Sequence, residues 1–258
     1  MRIVVLTKPV PDPTASERLG PHGRVDRSGS NVINGNDEYA LEAALKLVDA
    51  HGGDVTVVAL SPESGRDVLR KGLAMGATRG VLVTDPALAG SDWLTTIRVL
   101  AAAVRELEFD LLLTGVDTSD GGAGLVPAGL AALLGMPYLS NAASIEPSAA
   151  GVRVQRITPS GFETLEAPIP ALIGGTQALG APRYPTLKGI MGARAKDVAI
   201  RTLADLGLTP DDAGATASGT RVTELRQPPA RGATRIVRGP AVEAAREVVD
   251  FLASRGLV

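Results

Sequence analysis

The fold is decided by residues 54–84, DVTVVALSPESGRDVLRKGLAMGATRGVLVT. Two short apolar runs rich in β-branched residues, Asp54–Leu60 and Gly80–Thr84, have the pattern of strands buried on both faces. Between them, Glu63 to Met75 has helical spacing, and Gly76 follows as a residue suited to a helix C-terminus. A strand, a helix and a second strand in this order predict a parallel pair joined by a crossover helix.

The same alternation continues on both sides of this unit. The further predicted strands are Arg2–Thr7 and Asp110–Thr114, and the further predicted helices run from Glu38 to His51 and from Asp92 to Leu107. Four strands alternating with three helices predict an α/β fold, in which a parallel sheet has helices on both faces.

The second half of the chain has a different pattern. After Pro137, strand-like runs follow one another without helices, which predicts an antiparallel extension of the sheet. These runs are Leu139–Ile145, Val152–Ile157, Glu163–Ala167 and Ile169–Ile173. From Pro182 the regular periodicity is lost, apart from a short stretch at 198–206. Residues 211–220, DDAGATASGT, are typical of a linker, and a final amphipathic helix is predicted from Ala241 to Ser254.

The amino-acid composition excludes several classes of function. The 258 residues include 45% hydrophobic and 3% aromatic side chains, enough apolar material for a sizeable core. A net charge of −2 argues against a nucleic-acid binder. Since there is no cysteine and there are two histidines, thiolate chemistry is excluded and no metal site is expected. The amino-terminal apolar run is too short for a signal peptide, and no segment reaches about 18 apolar residues, so we expect a cytoplasmic protein without membrane insertion.

The strongest local chemistry lies in residues 114–137, TGVDTSDGGAGLVPAGLAALLGMP. A strand ends at Gly115, a polar glycine-rich loop follows, and a helix is predicted to begin near Gly124. Free N–H groups at a helix start attract an anion such as phosphate, and glycines let it approach the backbone. The glycines could equally serve a tight turn. The position favours a ligand, because ligands of open parallel sheets bind at the carboxyl ends of strands.

Two polar groups near this loop allow more than one role. No G-K-[ST] follows the loop and no G-x-G-x-x-G follows the first strand, which favours a nucleotide without a reactive triphosphate. Asp120 could accept a hydrogen bond from a ribose hydroxyl, or it could cap the helix. Asn34, which precedes Asp37 in VINGNDEYALEAA, could form a turn and cap or could line a nucleotide pocket.

These segments together resemble the β subunit of electron transfer flavoproteins along essentially the whole chain. The matching pieces are V-x-x-K-x-V-P-D at 5–12, NxxDEYALEAALKL at 34–47, LRKGLAMGATRGVLV at 69–83, the loop from Thr114, PRYPTLKGIM at 182–191 and PPAR at 228–231. Each piece alone is a weak signal. Their shared order and spacing make the resemblance specific.

The resemblance implies a fold, a partner and two cofactors. The fold is an adenine-nucleotide α-hydrolase-like domain, expected over residues 1–192, followed by an arm over residues 193–258 that packs on the electron transfer flavoprotein α subunit. The heterodimer would take electrons from flavin dehydrogenases, such as the acyl-CoA dehydrogenases of fatty acid oxidation, and pass them to a quinone-linked oxidoreductase. The redox FAD would lie mainly on the α subunit, and this chain would bind a structural AMP. It would be a carrier and not an enzyme, without catalytic residues of its own.

The resemblance also implies which residues contact AMP. They lie at the ends of the first two strands, in the turn before the first helix, and in the loop after the fourth strand. The set is Leu6, Asn34, Gly35, Asn36, Asp37, Leu60, Gly115, Asp117, Thr118, Ser119, Asp120, Gly121, Gly122, Ala123, Gly124, Leu125 and Val126. Many relatives carry Asn-Gln-Thr-Gly where this chain has residues 124–127, GLVP, so side-chain donors are missing here and main-chain N–H groups would have to hold the phosphate.

Residues 180–196, GAPRYPTLKGIMGARAK, are identified by the resemblance as the recognition segment that docks on the dehydrogenase. The expected docking residues are Arg183, Tyr184, Leu187, Ile190 and Met191, with Leu187 as the apolar anchor. The basic residues of the segment, Arg183, Lys188, Arg194 and Lys196, would steer an acidic partner. Pro182 and Tyr184 would stiffen the base of the segment. The alternative is an ordinary surface loop with Leu187 folded into the core.

Two other functions remain open from the sequence. A bifurcating-type β subunit would hold a second FAD in place of AMP. A non-redox regulatory module would bind an adenine nucleotide alone, and it would be stable and colourless without a partner chain.

Overall fold

One large sheet organises the protein. The computed structural model describes residues 1–14, 19–20, 23–224, 226, 232 and 234–258, so the PPAR piece at 228–231 lies outside the described residues. Five of the strands are short or peripheral: β2 (Pro9–Pro11), β3 (Leu19–Gly20), β4 (Arg24–Val25), β5 (Asn31–Ile33) and β13 (Val198–Arg201). The others are β1 (Arg2–Leu6), β6 (Asp54–Leu60), β7 (Arg79–Val83), β8 (Leu111–Gly115), β9 (Tyr138–Ser148), β10 (Gly151–Thr158), β11 (Gly161–Ala167) and β12 (Ala171–Gly175).

The main sheet has nine strands among the described residues, in the order β11-β10-β9-β12-β8-β1-β6-β7-β13. Going along this order from β9 through β12, β8, β1, β6 and β7 to β13, every pair of neighbouring strands is parallel. At the other end of the sheet, β10 pairs antiparallel with both β9 and β11. Two antiparallel pairs, β2 with β5 and β3 with β4, lie outside it. The predicted parallel sheet with an antiparallel extension is therefore confirmed.

Helices lie on both faces of this sheet, as predicted. The part of the chain up to Val222 contains α1 (Gly35–His51), α2 (Arg66–Met75), α3 (Trp93–Arg105), α4 (Val126–Leu134), α5 (Leu187–Ala193) and α6 (Gly214–Ala217), and α7 (Ala241–Ser254) belongs to a separate unit. Leu41 of α1 and Leu69 of α2 share a buried cluster with Val5 of β1. Ile97 of α3 and Leu130 of α4 share another, which includes the neighbouring β1 residues Val4 and Leu6. Alternate residues of one strand thus enter opposite cores, which is why the strand is apolar throughout.

The strand predicted at 169–173 is present, but its neighbouring strands are not the predicted ones. It begins at Ala171, and it lies parallel to β8 and β9, between them, rather than in the antiparallel part. The chain therefore leaves β8, builds β9 to β11 beyond the end of the parallel sheet, and returns to insert β12. All five residues of β12 are buried, as expected of a strand covered on both faces.

The carboxyl-terminal region also packs more closely than predicted. β13 extends the sheet next to β7, and Leu203 and Ala213 are buried in a third cluster with Val83 and Val99. Residues 211–220 are not a linker, because Ser218 Oγ donates to Gly90 O at 3.0 Å and Gly214 N donates to Ser91 Oγ at 2.9 Å. The compact unit runs from Met1 to Val222, beyond the predicted boundary at 192.

The second unit, Thr223–Val258, contains α7 with the bounds that the sequence predicted. None of its helical residues is buried in the described structure, and Val242, Val248 and Val249 are exposed. No helix among the described residues combines the length and the apolar run that crossing a bilayer requires. Across the same described ranges, no three acidic, histidine or cysteine side chains are grouped to hold a metal.

Candidate functional site

The predicted nucleotide contacts meet at one edge of the sheet. β1 is flanked by β6 and β8, and all three run in parallel, so their carboxyl ends Leu6, Leu60 and Gly115 lie along the same edge. The chain passes from β1 first to β6 and later returns to β8 on the other side, which makes this a topological switch point. Such points are where open parallel sheets bind ligands. Residues 116–125 connect β8 to α4 above this edge.

Asp37 joins two of these strand ends. Its Oδ2 accepts from the N–H of Lys8, just after β1, at 2.8 Å, and its Oδ1 accepts from the N–H of Gly115 at 3.0 Å. The side chain is buried, and burial raises the pKa of Asp37 to about 7, although hydrogen bonds from Asn34, Lys8 and Gly115 act in the opposite direction. A Cβ at Gly115 would lie 2.6 Å from Asp37 Oδ1, so only glycine allows this contact.

Asn34 fixes the loop that follows β8. Its Nδ2 donates to Asp117 O at 2.9 Å, and its Oδ1 accepts from the N–H of Ser119 at 3.2 Å. Asn36 Nδ2 donates to Asp117 Oδ1 at 2.9 Å. The side chain of Asn34 is buried and makes no cap bond to α1. The buried Asn34 side chain therefore neither caps α1 nor lines an open pocket in the structure. It links the start of α1 to the loop after β8, and we call this link the tether.

Asp120 is held by two cations. Its side chain is 1% exposed, Lys8 Nζ donates to its Oδ1 at 2.8 Å, and Arg27 donates to its Oδ2 through Nε at 3.0 Å and through Nη2. Burial alone would raise the pKa of Asp120, but the hydrogen bonds and charge of Lys8 and the hydrogen bond of Arg27 outweigh it and lower the pKa. Asp120 does not cap α4, whose first residues receive no side-chain cap bond.

The loop presents unused donors. Gly122 and Gly124 have φ angles of 55° and 60°, in the left-handed region that favours glycine. The N–H groups of Ala123, Gly124 and Leu125, all in exposed residues, have no acceptor within the described part of the chain. They precede the start of α4, where the helix dipole adds positive potential. This donor set fits an anionic group such as a nucleotide phosphate.

A buried hydroxyl lies directly before this loop. Thr114 is 4% exposed, and its Oγ1 has no hydrogen-bond partner within the described structure. By strand alternation it lies on the same face as Leu112, the face that packs on α4. Buried hydroxyls without partners are uncommon in proteins and often mark a ligand or water position. Thr114, Lys8 and Arg27 were missed by the site prediction. Lys8 could have been found because it lies just beyond Thr7, at the carboxyl end of the first predicted strand.

The recognition segment contains a short helix rather than a loop. α5 begins after Thr186, whose Oγ1 accepts from the N–H of Gly189 at 3.0 Å. α5 lies against α2, and a Cβ at Gly189 would overlap the carbonyl oxygen of Ala74. Leu187 is 74% exposed, which rules out the alternative that it folds into the core. Ile190 and Met191 are also exposed, so three of the expected docking side chains share one open apolar surface.

Two of the basic residues in this segment are bound within the chain. Arg183 donates through Nε to Glu42 Oε2 at 2.9 Å and through Nη2 to Asp49 Oδ2 at 2.8 Å, which anchors the segment to α1. Lys196 Nζ donates to the carbonyl oxygens of Leu73 and Ala77 at 2.9 and 2.6 Å, and burial lowers its pKa. Only Lys188 and Arg194, both exposed, remain available for the predicted steering.

Tyr184 also differs from its expected structural role. Its side chain is 95% exposed, so it cannot stiffen the base of the segment by packing. The anchoring expected of Tyr184 is made by Arg183 instead, through the buried carboxylate of Glu42.

Sequence comparison finds similar proteins that span the whole chain. A family model described as electron transfer flavoprotein domain matches residues 23–206. The chain is 34% identical to electron transfer flavoprotein subunit beta of Clostridium acetobutylicum, covering 98% of both chains, and 37% identical to that of Megasphaera elsdenii, covering 90% of this chain and 89% of the other. It is also 34% identical, over 100% of both chains, to caffeyl-CoA reductase-Etf complex subunit CarD of Acetobacterium woodii.

Proposed function

This chain belongs to the electron transfer flavoprotein family as a β subunit, and from that membership we propose the role of an AMP-containing electron shuttle. Members of the family are electron-transfer proteins rather than enzymes in the usual sense, and a β subunit works with an α subunit. In the proposed role, the heterodimer accepts electrons from flavin dehydrogenases such as acyl-CoA dehydrogenases and delivers them to a quinone-linked oxidoreductase. The proposal includes a redox FAD held mainly by the α subunit.

The observation that carries the AMP proposal is the donor-rich edge at the switch point. The N–H groups of Ala123, Gly124 and Leu125 would receive the phosphate, together with the positive end of α4. Leu6 and Leu60, at neighbouring strand ends, would offer apolar contacts to the adenine. The tether from Asn34 would keep the loop in one conformation, so little ordering entropy would be lost on binding.

The redox step would take place at the flavin and not on a side chain of this protein. The flavin would supply the electron-transfer chemistry, and the protein would supply its orientation and electrostatic surroundings. Asp37, the one carboxyl of this site with a strongly raised pKa, is engaged by two main-chain N–H groups beneath the loop. It is therefore part of the support of the site and not an exposed general base.

The first experiment identifies the bound nucleotides. The chain is co-expressed with its α subunit, the purified complex is denatured, and the released molecules are identified and quantified by mass spectrometry. One FAD and one AMP per heterodimer are expected. A single FAD without any other adenine nucleotide would contradict the AMP site, and it would indicate that the missing side-chain donors at 124–126 have cost the chain this ligand.

A bifurcating-type role is the second candidate, since one full-length relative carries a name that places it in a complex with a reductase. Two FAD and no AMP in the same measurement would favour that role over the simple shuttle. A colourless chain that is stable without an α subunit and binds an adenine nucleotide would favour the regulatory module.

The docking role of the recognition segment has its own test. Leu187→Ala removes the single leucine of the segment, which is largely exposed, so we expect reduction by the dehydrogenase to slow by about tenfold or more, the effect typical of a single anchor residue. Stopped-flow reduction measures the rate. Leu133→Ala removes another exposed leucine, on α4, and should leave the rate unchanged. Loss of the α subunit or of the flavin from the Leu187 variant would mean that the residue supports assembly rather than docking.

A further inference from the structure

Three charged side chains meet beside the proposed phosphate position. Lys8 extends from the end of β1, Arg27 comes from the connection between β4 and β5, and Asp120 belongs to the loop after β8. The carboxylate of Asp120 is 1% exposed, whereas the side chains of Lys8 and Arg27 are each 39% exposed. The buried anion therefore holds two cations in place while much of each remains open to solvent.

One of the two cations, Lys8, lies beside the glycine-rich turn that leads to the main-chain donors. Lys8 Nζ also donates to Thr118 Oγ1 at 3.4 Å, and a Cβ at Gly121 would lie 3.8 Å from the ammonium nitrogen. The ammonium thus sits over the turn that ends two residues before the unbonded N–H of Ala123. Arg27 uses Nε and Nη2 on Asp120 and Nη1 on Val25 O at 3.3 Å, so part of its five-donor group is still free.

The neighbouring charges do not occupy these cations. Asp117 lies on the loop, but its Oδ1 accepts from Asn36 on the α1 side and it makes no ion pair in the described structure. Asp37 is buried beneath the loop and bonded to main-chain N–H groups. Residues 124–126, GLV, carry no side-chain donor of their own. Any side-chain help for a phosphate must come from outside the helix start.

We propose that Lys8 and Arg27 form the side-chain half of the phosphate site, paired with Asp120 until a phosphate displaces it, and that they select a nucleoside monophosphate over the uncharged nucleoside. The inference rests on the proposed AMP site and adds to it two residues and a charge mechanism. A phosphate monoester carries nearly two negative charges at neutral pH and accepts strong hydrogen bonds from lysine and arginine. It competes with Asp120 for the same two cations.

Isothermal titration of the dialysed heterodimer with AMP and with adenosine tests the proposal. Arg27→Ala and Lys8→Met should each weaken AMP binding by about tenfold or more, the size of one charge-assisted hydrogen bond, and leave adenosine binding within about twofold. Arg24→Ala is the matched control, because this arginine of β4, close to Arg27 in the sequence, donates to Gly90 O at 2.7 Å and not to Asp120. An equal loss of AMP and adenosine binding in the Arg27 and Lys8 variants would overturn the proposal.

Asp120→Asn should change the affinity for AMP in the opposite direction. Removing the competing carboxylate should tighten AMP binding several-fold and leave adenosine binding unchanged. If Asp120→Asn instead weakened both ligands, Asp120 would act on the nucleoside part, and the competition would be refuted. A wild-type heterodimer that binds neither AMP nor adenosine would contradict the AMP site itself, an outcome distinct from failure of the cation pair.

Discussion

At the scale of single residues, Asp37 makes the stability of the protein depend on pH. Its folded-state pKa of about 7 lies above the value of about 3.9 expected in an unfolded chain. Between these values the unfolded chain has lost the proton and the folded chain has kept it. The unfolded state then binds fewer protons, so the free energy of unfolding falls as pH rises through this range and levels off above it.

We predict that the difference in unfolding free energy between wild type and Asp37→Asn decreases from about pH 4 to pH 7 and is constant above about pH 8. The upper bound of the change is about 4 kcal/mol, because each pKa unit corresponds to about 1.4 kcal/mol. Urea denaturation at several pH values measures it, with Asp67→Asn, an exposed carboxylate, as the control for net charge. A difference that does not vary with pH would show that Asp37 is ionised throughout.

Residue roles at the site were only partly predictable from the sequence. Asp120 stood out because it follows a predicted strand end, Asn34 because it lies in a polar turn before a predicted helix, and Asp37 because the resemblance includes it. Their partners did not: Arg27 and Asp120 are 93 positions apart, and Asn34 and Asp117 are 83 positions apart. A local pattern records neither contact, because only the folded sheet brings the two segments together.

At the scale of elements, the contact of α5 with α2 depends on one glycine. A Cβ at Gly189 would overlap Ala74 O, whereas a Cβ at Gly192, in the same helix, would meet nothing within 4 Å. We predict that Gly189→Ala lifts α5 from α2 and costs about 1–3 kcal/mol, the usual range for overpacking. Gly192→Ala should be neutral or slightly stabilising, since alanine favours helix.

Hydrogen exchange of the recognition segment and urea denaturation distinguish the two variants. Faster exchange across residues 187–193 in Gly189→Ala alone is the expected outcome. If both variants behaved alike, the position of α5 on α2 would not depend on this close approach.

The elements themselves were predictable to different degrees for a physical reason. β1, β6, β7 and β8 are buried on both faces, so each leaves a continuous apolar run that can be identified without knowing its neighbours. β12 has the same kind of apolar run in its sequence. Such a run does not indicate which strands are its neighbours or whether they are parallel to it. The seven residues of α5 are too few for a helical period to be distinguished from an irregular segment.

At the scale of the whole molecule, the division at Val222 separates a unit with a buried core from one whose described residues include none that are buried. We predict that a chain ending at Val222 unfolds cooperatively, with a stability within about 0.5 kcal/mol of the full chain, because the described residues beyond it contribute no buried side chain in α7. It should fail to co-purify with the α subunit, because we propose that the exposed valines of α7 pack on that partner. Co-purification at the normal yield would contradict the proposal.

The insertion of β12 between β8 and β9 has a consequence for synthesis on the ribosome. Of the strands before it, β9 pairs only with β10, so β9 to β11 remain a detached antiparallel group until residues 171–175 emerge. Throughout that interval, the side of β8 that later pairs with β12 is an unpaired strand edge. An unpaired strand edge is a template for pairing with another chain. Chaperone contact is therefore expected in the interval between the emergence of residue 116 and that of residue 175 from the ribosome. Ribosome-bound chains arrested before and after residue 175 would differ in protease protection of β9.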